Sequence, residues 1–207
     1  MKLLRETVRK LIIEEVCAGA NKVIQQGLNA LEENDLRVVV SILGTDGYDV
    51  ELKAPDGKTV GVFEVSTSRV CPAYITAWTE VNLKYRFDGV GAVLYDIAVE
   101  VATKLGNYLT CDRGTVSPEA RKMWKYYNAS DEYEAFQMDT RDGAYTPEDN
   151  EDDCKQMIFY RSTEFSTKDD PASYKSEFMA SPYTKAYKKK TITTIPCLGD
   201  RYSEVNG

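Results

Sequence analysis

The residues best suited to chemistry in this chain gather in one short run, Arg86-Phe87-Asp88-Gly89-Val90-Gly91. Two glycines one residue apart let a backbone approach a ligand with no Cβ in the way. When such a run opens a helix, its unpaired N–H groups lie at the positive end of the helix dipole, an arrangement that suits a pyrophosphate. Arg86 can add charge-assisted hydrogen bonds to the same phosphate. Two other phosphate loops fit less well. Leu94 stands where the dinucleotide-binding GxGxxG pattern needs its third glycine, and no segment reads GxxxxGK[ST].

What the chain lacks narrows the chemistry further. It has no histidine, which excludes Ser-His-Asp and Cys-His hydrolases, His-ligated zinc and HExxH metalloproteases. Its five cysteines, Cys17, Cys71, Cys111, Cys154 and Cys197, are widely spaced with no CxxC. Neither a zinc ribbon nor a disulfide framework is expected, and the thiols read as buried or passive groups of a reducing, cytoplasmic compartment. A net charge of −7 over 207 residues disfavours general nucleic-acid binding. Residues 131–153 carry ten Asp or Glu against one Arg, without the Asp-x-Asp-x-Asp-Gly order of a calcium loop, and read as a solvated loop with no metal. Apolar runs such as residues 38–43 are far too short to cross a membrane. Arg5, Glu6, Arg9 and Lys10 interrupt the N-terminal apolar residues, so no secretory signal is expected.

The elements that must hold the run are legible from periodicity. Residues 74–82 read as a strand before it, rich in Tyr, Ile, Thr, Trp and Val. Val93, Leu94, Ile97, Val101 and Leu105 mark a helix over residues 92–105, stopped by Gly106-Asn107. Upstream, residues 37–43, 48–52 and 59–65 read as strands, the last two joined by the turn Pro55-Asp56-Gly57-Lys58. Downstream come a short strand at 108–111 and a helix starting at Ser117-Pro118-Glu119-Ala120 and reaching about Tyr127. Residues 155–159 read as one more strand. The plan is an α+β fold around a mixed central sheet with flanking helices. Three parts are expected: an amphipathic helix in residues 1–32, the sheet domain in 33–165, and an extension in 166–207. The tyrosines of that last third (Tyr160, Tyr174, Tyr183, Tyr187, Tyr202) read as an interaction surface or a segment that orders on docking. Trp78 and Trp124 read as core or wall residues.

On these residues the chain resembles the GCN5-related N-acetyltransferase (GNAT) family. The family signature [RQ]-x-x-G-x-[GA], at the junction of the fourth strand and the next helix, is matched by Arg86-Phe87-Asp88-Gly89-Val90-Gly91. Ser117-x-x-Ala120-x-x-Met123-Trp124 is similar to the later helix of the family, usually N-x-x-A-x-x-[LF]-Y. The resemblance spans roughly residues 36–127. It implies a GNAT-like acyl-CoA N-acyltransferase fold with acetyl-CoA as cosubstrate. The pyrophosphate would rest on the backbone of Phe87, Asp88, Gly89, Val90, Gly91 and Ala92 beside Arg86, with Ser117 in the place of the usual Asn. The pantetheine would pair like an added strand with Val81, Asn82 and Leu83. An amine would attack the thioester directly, helped by a general base and a general acid that is often Tyr. Trp124 fills the usual place of that Tyr, and an indole cannot act as the acid. The same helix offers Tyr126 and Tyr127 instead, and Glu80 or Glu64 would be the base.

A narrower resemblance is to acetyltransferase-like proteins of tailed bacteriophages, carried by residues 94–98, 112–120, 124–127 and the acidic stretch 139–154. Residues 1–15 resemble the capsid-targeting peptides of large myophages, with Ile12-Ile13-Glu14 and Ile13-Glu14-Glu15 both fitting the cleavage pattern. Two functions follow from the resemblances. One is an enzyme that acetylates an amine on a small molecule or protein. The other is a catalytically silent protein of the same fold, used in the virion or against a capsid or host partner.

Overall fold

The computed structural model describes residues 15, 17, 21–68, 71–86, 89–112, 116–137 and 181–206. Alternation of apolar and polar residues makes four successive strands: β1 (Arg37–Ile42), β2 (Gly47–Lys53), β3 (Thr59–Ser68) and β4 (Cys71–Val81). They form an antiparallel meander in which Val40 faces Val50, and Val50 faces Phe63. Val38, Val40, Tyr48, Val50, Leu52, Phe63 and Val65 all turn to one face and are buried there. The opposite face of the same strands carries Asp49, Glu51 and Glu64.

After β4 the chain must cross over before it can pair in parallel, and the crossover is helix α2 (Val90–Lys104), with α1 (Lys22–Glu33) lying earlier in the chain. The return strand β5 (Leu109–Thr110) is parallel to β4. Helix α3 (Pro118–Ala129) follows, capped by Ser117 as its sequence predicts, and then β6 (Tyr133–Gln137). The sheet is completed by β7 (Lys185–Lys189) and β8 (Tyr202–Asn206), separated by the one-turn helix α4 (Thr194–Leu198). The eight strands run in the order β6-β7-β5-β4-β3-β2-β1-β8. The fold is α+β, a mixed sheet with flanking helices, as the sequence predicts.

Helix α2 is the centre of the molecule. Val90 and the whole run from Val93 to Ala102 are buried, so the helix is enclosed on every side. Tyr48 of β2 donates to the carbonyl of Ala98 at 2.6 Å, fixing the helix over the meander. The enclosure also buries two carboxylates, Asp96 and Glu100, and charges so placed must be paired. Lys189 of β7 inserts its ammonium between them, 2.6 Å from Asp96 Oδ2 and 2.9 Å from Glu100 Oε1. Glu100 also accepts from the backbone N–H groups of Thr193, Thr194 and Ile195 at 2.6, 2.6 and 2.7 Å. Asp96 accepts from the hydroxyls of Tyr133 and Thr194. Among the described residues, the partners of these two carboxylates come from β6 and from residues 189–195.

Four expectations are corrected by the structure. Residues 181–206, set apart in the sequence as part of an extension, supply an inner strand and an edge strand of the sheet. Tyr183 and Tyr187 are 3% and 0% exposed and belong to the core, because β7 is inserted between β5 and β6. The acidic segment does not remain a loop throughout: its first residues form β6, paired with the lysines of β7 at Tyr133↔Lys189 and Glu134↔Lys188. Cys17 and Cys197 are joined as a disulfide across 180 residues of sequence, which spacing along the chain cannot reveal. Cys111 is buried, as expected. The expected strand at 155–159, the acidic run at 148–153 and the peptide-like residues 1–14 lie outside the described residues. Among the described residues, no helix is long and apolar enough to cross a membrane.

Candidate functional site

Strands β4 and β5 part company soon after they meet. They pair only at Tyr74↔Leu109 and Ile75↔Thr110. The last link is the Thr76 hydroxyl, which donates to the Thr110 carbonyl at 3.2 Å. Immediately beyond, Trp78 and Thr76 pair with the consecutive residues Glu64 and Val65, so Ala77 is an extra residue bulged out of the ladder. A bulge bends its strand and strengthens the local twist. From Trp78 to Val81, β4 keeps β3 on one side and pairs with no described strand on the other. The result is a V-shaped gap with a row of backbone polar groups along one arm.

The arm that carries the free edge leads straight into the glycine run. Asn82 donates its backbone N–H to the Val60 carbonyl at 2.8 Å, and its side chain caps a single 3-10 turn, Leu83–Tyr85. Arg86 Nε donates to the Val81 carbonyl at 2.8 Å, tying the entry of α2 to the end of β4. Gly89 is the N-cap of α2 in the left-handed region, with φ 75°. A Cβ there would lie 2.8 Å from the Val23 carbonyl oxygen, and one on Gly27 would lie 2.4 Å from the Gly89 oxygen. These two glycines therefore let α1 pass against the start of α2. Gly91 is different. It has helical backbone, and nothing lies within 4 Å of the place its Cβ would take. Neither conformation nor packing asks for glycine at that position. Helix α2 also begins with no side-chain cap and no acidic residue in its first turn.

Against the inner face of the sheet lies Tyr95, buried on α2. Its ring makes edge contacts with Phe63 of β3 at 4.7 Å and with Trp124 of α3 at 6.0 Å. Its hydroxyl is influenced by Thr79 on the free arm of β4 and by Cys111, the first residue after β5. Burial pushes the phenol up to about 12, with the Thr79 side chain drawing it back and Cys111 adding to the rise.

Two solved structures are similar to this fold. One is an acetyltransferase of the GNAT family from Staphylococcus aureus Mu50, at 14% identity over 63% of this chain and 80% of that one, with a TM-score of 0.34. The other is the GNAT family N-acetyltransferase YhbS from Escherichia coli in complex with CoA, at 9% identity over 89% of this chain and 74% of that one, with a TM-score of 0.35. No family model matches the chain, and no curated protein matches it.

The residues singled out from sequence fall in several places. Arg86, Gly89, Val90, Gly91 and Ala92 gather where β4 hands over to α2, while Phe87 and Asp88 lie outside the described residues. Val81 ends the free arm, but Asn82 and Leu83 have already left the strand for the 3-10 turn, so the strand edge available for pairing lies further back, at residues 78–81. Ser117 spends its hydroxyl on the Ala120 N–H at 3.2 Å and sits exposed at the start of α3. Glu80 and Glu64 lie on the outer face of the sheet beside Trp78, which is 55% exposed and not a core residue. On that face Asp49 has its carboxyl pushed up, first by partial burial and then by the charges of Glu64 and Glu51. Trp124 is a core residue, 1% exposed.

The two tyrosines expected as acids are turned elsewhere. Tyr127 is 1% exposed, stacked among Trp124, Tyr133 and Tyr187, and burial raises its phenol well above the ordinary range. The Tyr126 hydroxyl donates to Glu132 at 3.3 Å, on the β6 side of α3. Sequence reasoning did not single out Tyr95, which packs beside Phe63 and Trp124. The signal for Tyr95 was available: one phenol among the aliphatic residues of the first turns of α2, on the helix that the glycine run opens.

Proposed function

We propose that the protein is an acyl-CoA-dependent N-acyltransferase of the GNAT type, using acetyl-CoA to acetylate an amine. The observation that carries this reading is the V-shaped gap between β4 and β5, whose free arm ends at the uncapped start of α2. An extended pantetheine fits such an arm, because residues 78–81 offer backbone groups to a strand-like partner. A pyrophosphate fits the first turn of α2, where the N–H groups of Val90, Gly91 and Ala92 point out of the helix and Gly91 leaves room above them. Arg86, exposed and held through Nε, keeps its terminal nitrogens for the same anion. On the outer face, Glu80 borders the gap as a base for the incoming amine, and the carboxylates of Asp49, Glu51 and Glu64 around it favour a cationic acceptor through steering.

The test is calorimetric titration with acetyl-CoA and CoA, on the native chain and on Gly91→Val. The native chain is expected to bind both. The valine fills empty space in the fold, so the variant should keep its melting temperature and lose affinity at least tenfold. Unchanged affinity in a folded variant refutes the pyrophosphate position. A second reading, a silent member of this fold used as a virion or host-binding component, is favoured by one observation, the buried indole of Trp124 in the usual place of the acid. CoA binding without thiol release in the presence of amines would support it.

A further inference from the structure

We propose that the Cys17–Cys197 disulfide and the cavity beside it form a thiol–disulfide exchange site for a small zwitterionic thiol, cysteine or a short peptide of it. The link joins Cys17, ahead of α1, to Cys197 in α4. Both cysteines line a cavity of about 180 Å³ between α1 and the C-terminal turn, many times the space one water needs. Two further residues of its wall each hold a buried polar atom with no partner among the described residues, Oε1 of Gln25 and Nε of Arg201. Gln25 spends its amide nitrogen on Asn29 at 3.0 Å, and Arg201 brings a terminal nitrogen to Glu32 at 3.4 Å. One acceptor and one cationic donor are left over, and buried groups in that state are costly. A molecule that satisfies both carries an N–H group for Gln25 and a carboxylate for Arg201. The disulfide in the same wall supplies the third requirement, because its natural reactant is a thiolate. Amine, carboxylate and thiol on one small molecule describe cysteine. Cys17 and Cys197 are both partly exposed, so attack needs no unfolding. None of these residues borders the gap between β4 and β5, so the proposal stands apart from the acyltransferase reading.

In the exchange, the thiolate of the bound molecule attacks one sulfur of the link. A new S–S bond forms to that sulfur, the Cys17–Cys197 bond breaks, and its electron pair leaves on the other cysteine, which takes a proton from water. The incoming sulfur is oxidised to the disulfide level and the departing cysteine is reduced to a thiol. A second molecule of the same thiol then displaces the first as a small disulfide and leaves both cysteines reduced. Opening frees Cys17 from α4, the turn whose first N–H groups hold Glu100.

The experiment follows opening of the link in the full chain under anaerobic conditions, with cysteine and with cysteamine, which keeps the amine and the thiol but lacks the carboxylate. Samples are quenched with acid and read by intact mass and peptide mapping, and rates are compared per thiolate. The rate with cysteine should saturate as its concentration rises, and should exceed that with cysteamine about tenfold, the worth of one charge-assisted hydrogen bond. The mixed disulfide should map to Cys17 or Cys197. In Arg201→Gln the preference for cysteine should fall to within about twofold while the melting temperature stays near native, since the contact with Glu32 is largely exposed. The comparison of the two thiols on native protein decides the matter even if the variant fails to fold. Equal rates that rise linearly with both thiols would mean that water alone occupies the cavity, and would overturn the site. A link that opens only under denaturing conditions, or a native chain in which Cys17 and Cys197 are not joined, would overturn it as well.

Discussion

Lys189→Met is the perturbation that should tell most about how this molecule holds together. In the native protein the Lys189 side chain is 3% exposed and lies between two carboxylates that are each 0% exposed, at 2.6 and 2.9 Å. Methionine fills the space of the stem and removes the cation. Glu100 keeps its three backbone donors and Asp96 keeps its two hydroxyl donors, so the hydrogen bonds largely survive while the charge balance does not. Removing one partner of a buried ion pair costs about 3–5 kcal/mol, because the charge left behind has no counter-charge and little water. For a chain of this size that corresponds to a fall in melting temperature of roughly 6–20 °C. Urea denaturation at pH 7 measures it directly. The double variant Lys189→Met with Asp96→Asn lowers the uncompensated charge and should recover a good part of the loss. A single-variant cost below about 1 kcal/mol, or a double variant less stable than the single, would refute the idea that an ion cluster clamps α2 to the C-terminal strands. The native cluster also has a pH signature. Burial alone would lower the Lys189 ammonium, but Asp96 and Glu100 outweigh it and hold its pKa above the usual lysine value. Its contribution is therefore complete below the ordinary lysine range and is lost as pH rises through the raised value, so the stability gap between native protein and Lys189→Met should narrow as pH rises through that value.

Two further outcomes follow from particular contacts. Gly89→Ala should destabilise by at least about 1–2 kcal/mol, the cost of a left-handed non-glycine residue, with the contact to Val23 adding to it; chemical denaturation checks this, and a neutral result would mean that the start of α2 can shift away from α1. Reduction, or Cys197→Ser, should lower stability by up to about 5 kcal/mol, since the closed loop spans 180 residues; equal unfolding midpoints with and without reductant would show that the cross-link restrains little.

Much of the architecture was written in local patterns. The meander, the turn at Pro55-Asp56-Gly57-Lys58, the crossover helix and the Ser117 cap all rest on alternation, periodicity and capping chemistry, which act over a few residues. The place of the glycine run at the mouth of α2 was legible for the same reason. What could not be read is what depends on distant pairing. The insertion of β7 between β5 and β6, the burial of Tyr183 and Tyr187, and the Cys17–Cys197 link all join residues far apart in sequence. The outward turn of Trp78 depends on the bulge at Ala77, which appears only when the register against β3 is known. Glycines show the same divide. Sequence treats Gly89 and Gly91 alike, yet the fold uses Gly89 to admit α1 and leaves Gly91 to open space.

The late arrival of β7 has a bearing on synthesis. Among the described residues strand β6 pairs only with β7, and Lys189, the counter-charge for Asp96 and Glu100, lies about fifty residues beyond the end of β6. At translation rates of about 5–20 residues per second, β6 waits several seconds outside the ribosome before its neighbour exists. Over that interval the crossover helix carries two carboxylates among its aliphatic residues without Lys189 to neutralise them. Those charges oppose premature burial, keeping the nascent helix in water until the strand that satisfies them has been made. The same groups that clamp the finished molecule thus delay its closure, and a ribosome-stalled chain ending short of Lys189 should remain sensitive to protease along α2 and β6.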